Sequence, residues 1–202
     1  MTMIDFSRVH RPHEKQLEMH RSTSRNKVME SARRLGKSRS ALFELVDAWM
    51  TAMKEPAPPS LTPPFHAWIV APTFPQAEQA WTELQEFFPD HWKSTVRPDM
   101  KRMDLKGDVH GNRRWGRIEV RSAHDPTALQ TAGLDFLWVT ECQDIMEAAF
   151  QRLRPMMMSA DRMSRAVWEG IPALYADHWW WKLCDMAQRD NNPEWFYSHG
   201  TA

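Results

Sequence analysis

Residues 31–38 of the sequence read SARRLGKS, a pattern close to that of a phosphate-binding loop. In such a loop, written GxxxxGK followed by Ser or Thr, backbone N–H groups and the start of the next helix surround a phosphate. The Lys neutralises the phosphate, and the hydroxyl binds Mg²⁺. Ser31 stands where the pattern has its first Gly, so the strict pattern is not met. The tripeptide GKS alone is a weak signal, but its position between a short strand-like segment and a helical pattern strengthens it.

A carboxylate follows a different apolar run. Residues 136–139 read FLWV, and Thr140 and Glu141 come directly after them. At the end of a buried strand, Glu141 would lie at the carboxyl edge of a sheet, where ligands bind in open α/β folds. A Glu at that place can orient or deprotonate the water that attacks a γ-phosphate. The alternative, an ordinary Glu at a strand end, is less favoured in a chain that also carries the loop.

The elements that would position these residues alternate between strands and helices. Short apolar runs predict strands, and apolar residues at helical spacing predict amphipathic helices. Residues 100–123 have glycines between short alternating stretches, which predicts a β-hairpin insertion. The predicted strands are residues 26–31, 67–71, 136–139, 165–169 and 195–198, and the predicted helices are residues 41–53, 76–88, 144–154 and 177–188. This alternation predicts one α/β domain over residues 1–202, with a mostly parallel sheet flanked by helices.

Composition limits the classes of function. Lys plus Arg and Asp plus Glu number 26 each, which excludes a uniformly basic surface. Residues 1–40 hold ten basic against four acidic residues and residues 93–122 hold nine against four, so an anionic partner would meet these stretches unless they are merely solvated. The two cysteines, 142 and 184, form no CxxC pair, which argues against a zinc site. No apolar run approaches the roughly 18 residues of a membrane span, so we expect no membrane partner.

Five motifs, taken in order, resemble the ATPase half of a bacteriophage terminase large subunit. The loop SARRLGKS is similar to the family's variant, which often lacks the leading Gly and carries an Arg inside the loop, here Arg33. Residues 11–16 (RPHEKQ) resemble the segment that supplies a Gln to the adenine. Further along, residues 68–84 resemble the second strand–helix unit, residues 137–144 (LWVTECQD) the Walker B strand and turn, and residues 168–172 (WEGIP) the coupling motif.

This resemblance implies a P-loop NTPase fold of the ASCE type, with ATP and Mg²⁺ as cofactors, and a set of site residues. The implied catalytic residues are Glu141 and Arg33, and the implied Mg²⁺ ligands are Ser38, Thr140 and Glu141. The implied nucleotide-binding residues are Gln16, Ser31, Ala32, Arg33, Arg34, Leu35, Gly36, Lys37, Ser38 and Arg39. The implied coupling residues are Gly170, Ile171 and Pro172. The arginines on the predicted hairpin, Arg113, Arg114, Arg117 and Arg121, are candidates for an arginine finger that acts in a neighbouring subunit, or else they are solvated or contact DNA phosphate.

Two positions depart from the family's pattern. The family usually has an Asp immediately before the catalytic Glu, where this sequence has Thr140. A hydroxyl can still hold a metal-bound water, but without the negative charge, so metal binding would depend more on Ser38 or hydrolysis would be slow. The coupling segment Gly170-Ile171-Pro172 lacks the small hydroxyl residue that is common there.

The function that the resemblance implies is an ATP-driven motor that moves double-stranded DNA into a procapsid. Its implied partners are the portal protein and the small terminase subunit, in a homo-oligomeric ring. Its implied location is the host cytoplasm rather than the mature virion. The family's nuclease domain would follow residue 202. Two alternatives stay open, namely another nucleic-acid translocase or helicase and a nucleotide-binding assembly scaffold with weak catalysis.

Overall fold

A computed structural model describes residues 11–54, 61–109, 112–130, 133–189 and 192–200. Its strands are β1 (Asn26–Ser31), β2 (Phe65–Ala71), β3 (Lys93–Arg97), β4 (Arg102–Val109), β5 (Asn112–Ser122), β6 (Phe136–Val139), β7 (Arg165–Gly170) and β8 (Trp195–Gly200). Its α-helices are α1 (Glu14–Arg21), α2 (Lys37–Lys54), α3 (Phe74–Phe87), α4 (Glu147–Leu153) and α5 (Trp179–Arg189). Short 3-10 helices cover Asp90–Trp92, Pro98–Met100, Pro126–Ala128, Cys142–Asp144 and Arg154–Met157.

Within the described residues, the strands form one eight-stranded sheet in the order β3-β4-β5-β2-β6-β7-β1-β8. The strands from β5 to β8 in this order pair in parallel, whereas β3 with β4 and β4 with β5 are antiparallel. The predicted mostly parallel sheet and the predicted hairpin insertion are therefore confirmed. The hairpin is formed by β4 and β5, and β5 then joins the parallel sheet beside β2.

The sheet separates the core into two apolar clusters. Trp49 of α2 and Trp81 of α3 are buried on one face, and Phe150 of α4 and Trp180 of α5 are buried on the other. Successive side chains of a strand point to opposite faces, so the inner strands contribute apolar residues to both clusters. This burial on both sides is the reason why the inner strands read as continuous apolar runs in the sequence.

Some element boundaries differ from the predicted ones. The sequence does not predict α1, because only Gln16 and Met19 of this helix are buried and no apolar stripe marks it. The helix predicted over residues 144–154 is shorter. A 3-10 turn ends at Asp144, and Met146, in an extended conformation (φ −66°, ψ 143°), precedes the first residue of α4.

A buried polar cluster joins β5 to β2, where the hairpin meets the parallel strands. The Oε2 atom of Glu119 lies 2.9 Å from Nε2 of His66 and accepts a hydrogen bond from Nε1 of Trp68 at 2.9 Å. Its Oε1 atom accepts a hydrogen bond from Arg121 at 2.7 Å. Burial alone would raise the pKa of Glu119, but the contacts with His66, Arg121 and Trp68 lower this pKa to about 2.

The ionised form of Glu119 should stabilise the fold. Because the pKa of Glu119 in the folded chain is about 2, below the ordinary value of 4.5, its stabilisation is complete above pH 4.5 and is lost as the pH falls from there towards 2. In Glu119→Gln we expect this part of the pH dependence to disappear, with a loss on the order of 1–3 kcal/mol at neutral pH. Urea unfolding at pH values from about 3 to about 7 measures both the pH dependence and the loss of stability.

Glu147→Gln is the matched control, since Glu147 is exposed on α4. It should leave the free energy of unfolding and its pH dependence close to those of the wild type. If the free energies of unfolding of wild type and Glu119→Gln fall in parallel as the pH decreases, ionised Glu119 does not stabilise the fold.

Candidate active site

The predicted phosphate-binding loop lies at the carboxyl end of β1, an inner strand of the sheet between β7 and β8. Ser31 ends β1 and pairs with Gly200, and α2 begins at Lys37. The loop reaches positive φ at Arg34 (66°) and Gly36 (70°), whereas Ser31 is part of the strand. A Gly is therefore not needed at position 31, which explains how the loop forms without the first Gly of the pattern.

Lys37 is held inside this loop. Its side chain is buried, and Nζ donates hydrogen bonds to the carbonyl oxygens of Ser31 and Ala32, each at 2.9 Å. Both acceptors are neutral. A phosphate in the loop would offer charged oxygen acceptors, which form shorter and stronger hydrogen bonds with an ammonium group.

Helix α1 packs against the loop through Gln16. The buried Gln16 side chain donates from Nε2 to the carbonyl oxygens of Leu35 (3.3 Å) and Gly36 (3.1 Å), and its Oε1 accepts from the backbone N–H of His13. A Cβ atom at Gly36 would lie 2.6 Å from Nε2 of Gln16, so a side chain at position 36 would collide with this contact. The structure thus places Gln16 at the loop backbone, and its role towards adenine stays a prediction.

A cavity of about 440 Å³ opens in front of the loop, within the size range of small-molecule sites. It brings together the loop and Glu141, as the sequence predicts. The residues lining it are Arg33, Arg34, Gly36, Lys37, Ser38, Arg39, Glu83, Glu86 and Glu141. Glu83 and Glu86, from α3, are not among the predicted site residues. Their spacing of three residues places them on one face of α3, but the sequence does not show that this face meets the loop.

Glu141 follows β6 and has a left-handed backbone conformation, with φ 51° and ψ 50°. Such a conformation is uncommon for a residue other than Gly and is found preferentially at functional sites. Its Oε2 accepts a hydrogen bond from Nε2 of Gln143 at 2.7 Å. The same Gln143 accepts, through Oε1, the backbone N–H of Ile171 at 3.0 Å. Gln143 therefore joins the predicted catalytic Glu to the predicted coupling segment, although the sequence analysis does not identify it.

The predicted coupling residues begin where β7 ends. A Cβ atom at Gly170 would lie 2.6 Å from Oε1 of Gln143 and 3.1 Å from the Trp180 ring, so a side chain at this position would displace Gln143 or Trp180. Nε1 of Trp180 also donates to the carbonyl oxygen of Ile171 at 2.9 Å. Two hydrogen bonds thus hold the backbone of Ile171, while the coupling role of this segment stays a prediction.

Glu169, the last residue before this segment, is a buried carboxylate that the sequence analysis does not assign to the site. Its Oε1 accepts hydrogen bonds from Nε1 of Trp138 at 2.8 Å and from the Ser38 hydroxyl at 3.1 Å. Its Oε2 is buried and has no hydrogen-bond partner among the described residues. Burial raises the pKa of Glu169 to about 7, while contacts with Thr140, Trp138, Lys37 and Ser38 act to lower it. A signal was available, since a Glu ends the predicted strand 165–169 much as Glu141 follows the strand 136–139.

The oxygen donors at this edge of the sheet suit Mg²⁺. Ser38, Thr140, Glu141 and Glu169 offer hydroxyl and carboxylate oxygens, which Mg²⁺ prefers. One of these oxygens, Oε2 of Glu169, is buried and has no hydrogen-bond partner in the described part of the chain. No group of three or more His, Cys, Asp or Glu residues in those same ranges could hold a metal by itself. Mg²⁺ commonly binds through one or two carboxylates, with phosphates and water completing its shell.

The candidate finger arginines are spread along β5. Arg117 forms an ion pair with Asp104 at 3.0 Å, and Arg121 pairs with Glu119. Arg113 and Arg114 precede Gly116, the partner of the first residue of β2, so their backbone lies towards the edge of the sheet opposite the loop. Within one subunit, therefore, only Arg121 lies at the carboxyl end of β5. The role of these arginines in a neighbouring subunit stays a prediction.

The fold and the site together define the class. A mostly parallel sheet carries the predicted phosphate-binding loop after β1 and a Glu after β6, with the hairpin-forming strands at one edge, and this arrangement is the P-loop fold of the ASCE type. Compared with solved structures, the chain superposes on the large terminase ATPase domain of Thermus phage P74-26 with a TM-score of 0.79. That match has 22% sequence identity and covers 100% of this chain and 86% of the other.

Sequence comparison finds two similar curated proteins. Over 150 residues the chain is 31% identical to the terminase large subunits of Thermus phage G20c and of Thermus virus P23-45. Each match covers 65% of this chain and 28% of the relative, so the chain spans less than a third of the length of these curated relatives. No family model matches the chain. The resemblance to terminase large subunits is confirmed by these relatives.

Two further structural matches were solved with nucleotide. The large terminase of a thermophilic bacteriophage, in complex with ADP, matches with a TM-score of 0.67 at 14% identity, over 92% of this chain and 44% of that one. The same protein in complex with ATP-gamma-S matches with a TM-score of 0.65 at 15% identity. Of the residues described for the present chain, none belongs to a helix that is long and apolar enough to cross a membrane.

The bridge made by Gln143 can be tested by hydrogen exchange. In Gln143→Ala the backbone N–H of Ile171 loses its acceptor, so we expect this amide to exchange about two- to tenfold faster. Asp144→Asn is the control, because Asp144 contacts the Nε2 end of Gln143 and not the end that binds Ile171. Equal exchange of the Ile171 amide in the wild type and in Gln143→Ala would show that the bridge does not hold this segment.

Proposed function

We propose that this chain is an ATP-hydrolysing domain that drives the packaging of double-stranded DNA into a viral procapsid. The observation that carries the proposal is the shared cavity at the carboxyl edge of the sheet, lined by Lys37, Ser38 and Glu141. Further support comes from the relatives named terminase large subunit and from the structural neighbours solved with ADP and ATP-gamma-S. On this proposal residues 1–202 form one ATPase domain.

The loop would bind the phosphates of ATP. The start of α2, at Lys37, presents backbone N–H groups and the positive end of the helix dipole to the cavity. Lys37 would exchange its carbonyl acceptors for phosphate oxygens, and the exposed Arg33 lies in the same loop, where it could stabilise the charge of the transition state. Ser38, Thr140 and Glu141 remain the proposed residues around Mg²⁺, which when bound neutralises charge on the phosphates.

Glu141 would act on the attacking water. In this structure its Oε2 accepts a hydrogen bond from Gln143, and its left-handed backbone holds the side chain at the cavity. A carboxylate there can accept a proton from water as the water approaches the γ-phosphate. The bond to Gln143 would have to be exchanged or shared when Glu141 binds that water, and Gln143 also contacts Ile171. The proposed coupling residues Gly170, Ile171 and Pro172 are therefore one side chain away from the chemistry.

The motor function adds partners to this ATPase. We propose double-stranded DNA as the polymer that is moved, the portal protein and the small terminase subunit as partners, and a homo-oligomeric ring in the host cytoplasm as the working assembly. In such a ring, Arg113, Arg114, Arg117 or Arg121 would supply the finger to a neighbour. A scaffold with weak catalysis is the second candidate, favoured by the neutral Thr140 at the usual Asp position. ATP binding without Glu141-dependent hydrolysis, also in the presence of DNA, would favour the scaffold.

Lys37→Ala tests the phosphate site. Removal of the ammonium group should weaken ATP binding by about 10- to 100-fold, because charge-assisted hydrogen bonds to phosphate are lost, and hydrolysis should be abolished. Calorimetric titration with ATP-gamma-S measures the affinity. Lys106→Ala, at an exposed position of β4, is the control and should bind as the wild type does. Near wild-type turnover in Lys37→Ala would show that the loop is not the phosphate site.

Glu141→Gln separates chemistry from binding. The amide keeps the shape of the side chain but cannot accept the proton of the water, so hydrolysis should fall by roughly 10²- to 10⁴-fold while ATP binding persists. Phosphate release, with and without double-stranded DNA, measures the first quantity, and titration measures the second. Glu147→Gln serves as the control. A joint loss of binding and hydrolysis would instead make Glu141 a structural residue or a metal ligand.

A further inference from the structure

Of the two carboxylates at the ends of β6 and β7, Glu169 belongs to the strand that lies nearer to the predicted phosphate-binding loop. In the sheet, β7 lies directly beside β1, and β6 is one strand further away. Neighbouring strands are about 4.8 Å apart, so a side chain at the end of β7 starts that much nearer to the loop than one at the end of β6. The contact between Glu169 and the Ser38 hydroxyl is the direct result.

The geometry of this contact matches a shared metal ion. Mg²⁺ binds oxygen ligands at 2.0–2.1 Å in octahedral geometry, so two adjacent ligands lie about 2.9 Å apart. The separation between the Ser38 hydroxyl and Oε1 of Glu169 is 3.1 Å. Oε1 is also fixed by the indole N–H of Trp138, and the buried Oε2 has no partner within the described residues. A second ligand oxygen is thus already near the loop hydroxyl, and the Thr140 side chain also contacts this carboxylate.

Glu169 matters for metal binding because the residue at position 140 is neutral. Val139 of β6 pairs with Trp168 of β7, so Thr140 and Glu169 are the next residues along the two strands. Thr140 contributes a hydroxyl where an acid would otherwise face the metal, and Glu169 contributes a buried carboxyl group one strand nearer to Ser38. The acidic group that position 140 lacks is therefore present at position 169.

We propose that Glu169 is the acidic residue that holds Mg²⁺ with Ser38 when nucleotide binds, directly or through one water molecule. This assignment rests on the proposed ATPase function. It gives Thr140 the lesser part of orienting a metal-bound water and leaves Glu141 to act on the attacking water. Two other roles for Glu169 are outcomes of the test: a purely structural residue, and a catalytic base.

The test measures the linkage between Mg²⁺ and nucleotide affinity. The affinity of the 202-residue chain for ATP-gamma-S is measured in Mg²⁺ and in EDTA, and Mn²⁺ binding in the presence of ATP-gamma-S is followed by electron paramagnetic resonance. In Glu169→Gln we expect the gain in affinity due to Mg²⁺ to fall about tenfold or more, with unchanged or tighter binding in EDTA, because a negative charge near the phosphates is removed.

Companion variants make the result specific. Thr140→Asp combined with Glu169→Gln moves the carboxylate to the neighbouring strand and should restore part of the Mg²⁺ effect. Glu169→Asp, which keeps the charge but shortens the side chain, should be intermediate and also serves if Glu169→Gln does not fold by circular dichroism. Glu30→Gln is the matched control: Glu30 is a buried carboxylate on β1 bonded to Tyr197, and its replacement should leave the Mg²⁺ effect intact.

Each outcome decides between the roles. An unchanged Mg²⁺ effect in Glu169→Gln overturns the proposal, and if hydrolysis alone is lost in that variant, Glu169 is a catalytic base. Wild-type protein that binds ATP-gamma-S equally in Mg²⁺ and in EDTA overturns the metal assignment but keeps the nucleotide site. Wild-type protein that binds no nucleotide under either condition overturns the proposed function, and this inference with it.

Discussion

The parallel pairing of β6, β7 and β1 is the constraint on which the site depends. Parallel strands end at the same edge of a sheet, so the loop after β1, Glu169 at the end of β7 and Glu141 after β6 all reach one place. The two apolar clusters pack on the two faces of the sheet that carries this edge. A different strand order would separate these groups.

The sequence predicts the parallel sheet, the loop and Glu141, because each leaves a local signal: apolar runs, a GKS tripeptide, and a Glu after a buried strand. It does not predict the roles of Gln143 and Glu169. Gln143 contacts Ile171 and Glu169 contacts Ser38, and both contacts join distant segments. Both contacts depend on β7 lying between β6 and β1. The order of the strands cannot be read from the sequence, because it produces no periodic pattern of residues. Helix α1 is missed for a different reason, since its short buried face carries only Gln16 and Met19.

The departure from the usual loop pattern has a physical explanation in the structure. Ser31 replaces Gly without strain because the loop turns at Arg34 and Gly36, where φ is positive. An Arg with positive φ costs conformational energy, and it persists here in a loop held by Lys37 and Gln16. A side chain at position 36 would be strained by the positive φ and would have to displace Gln16. In this loop it is thus the second Gly of the pattern, and not the first, whose conformation favours Gly.

The polar groups of the site bind one another in this structure, and on the proposed function this would link nucleotide binding to movement. Buried polar groups need partners, and Lys37 finds them in loop carbonyls, Glu141 in Gln143, and the Ser38 hydroxyl in Glu169. A triphosphate with Mg²⁺ would compete with these partners for Lys37, Glu141 and Ser38, and so would have to break these bonds as it forms its own. The bond from Gln143 to Glu141 is connected through a single side chain to the backbone of Ile171, whose carbonyl oxygen accepts a hydrogen bond from Trp180. A Cβ atom at position 170 would lie 2.6 Å from Oε1 of Gln143, so the absence of a side chain at Gly170 allows Gln143 to approach the end of β7. On the proposed function, a shift of Gln143 with Glu141 would act on the segment 170–172 through the backbone N–H of Ile171, and the proposed coupling would depend on this contact.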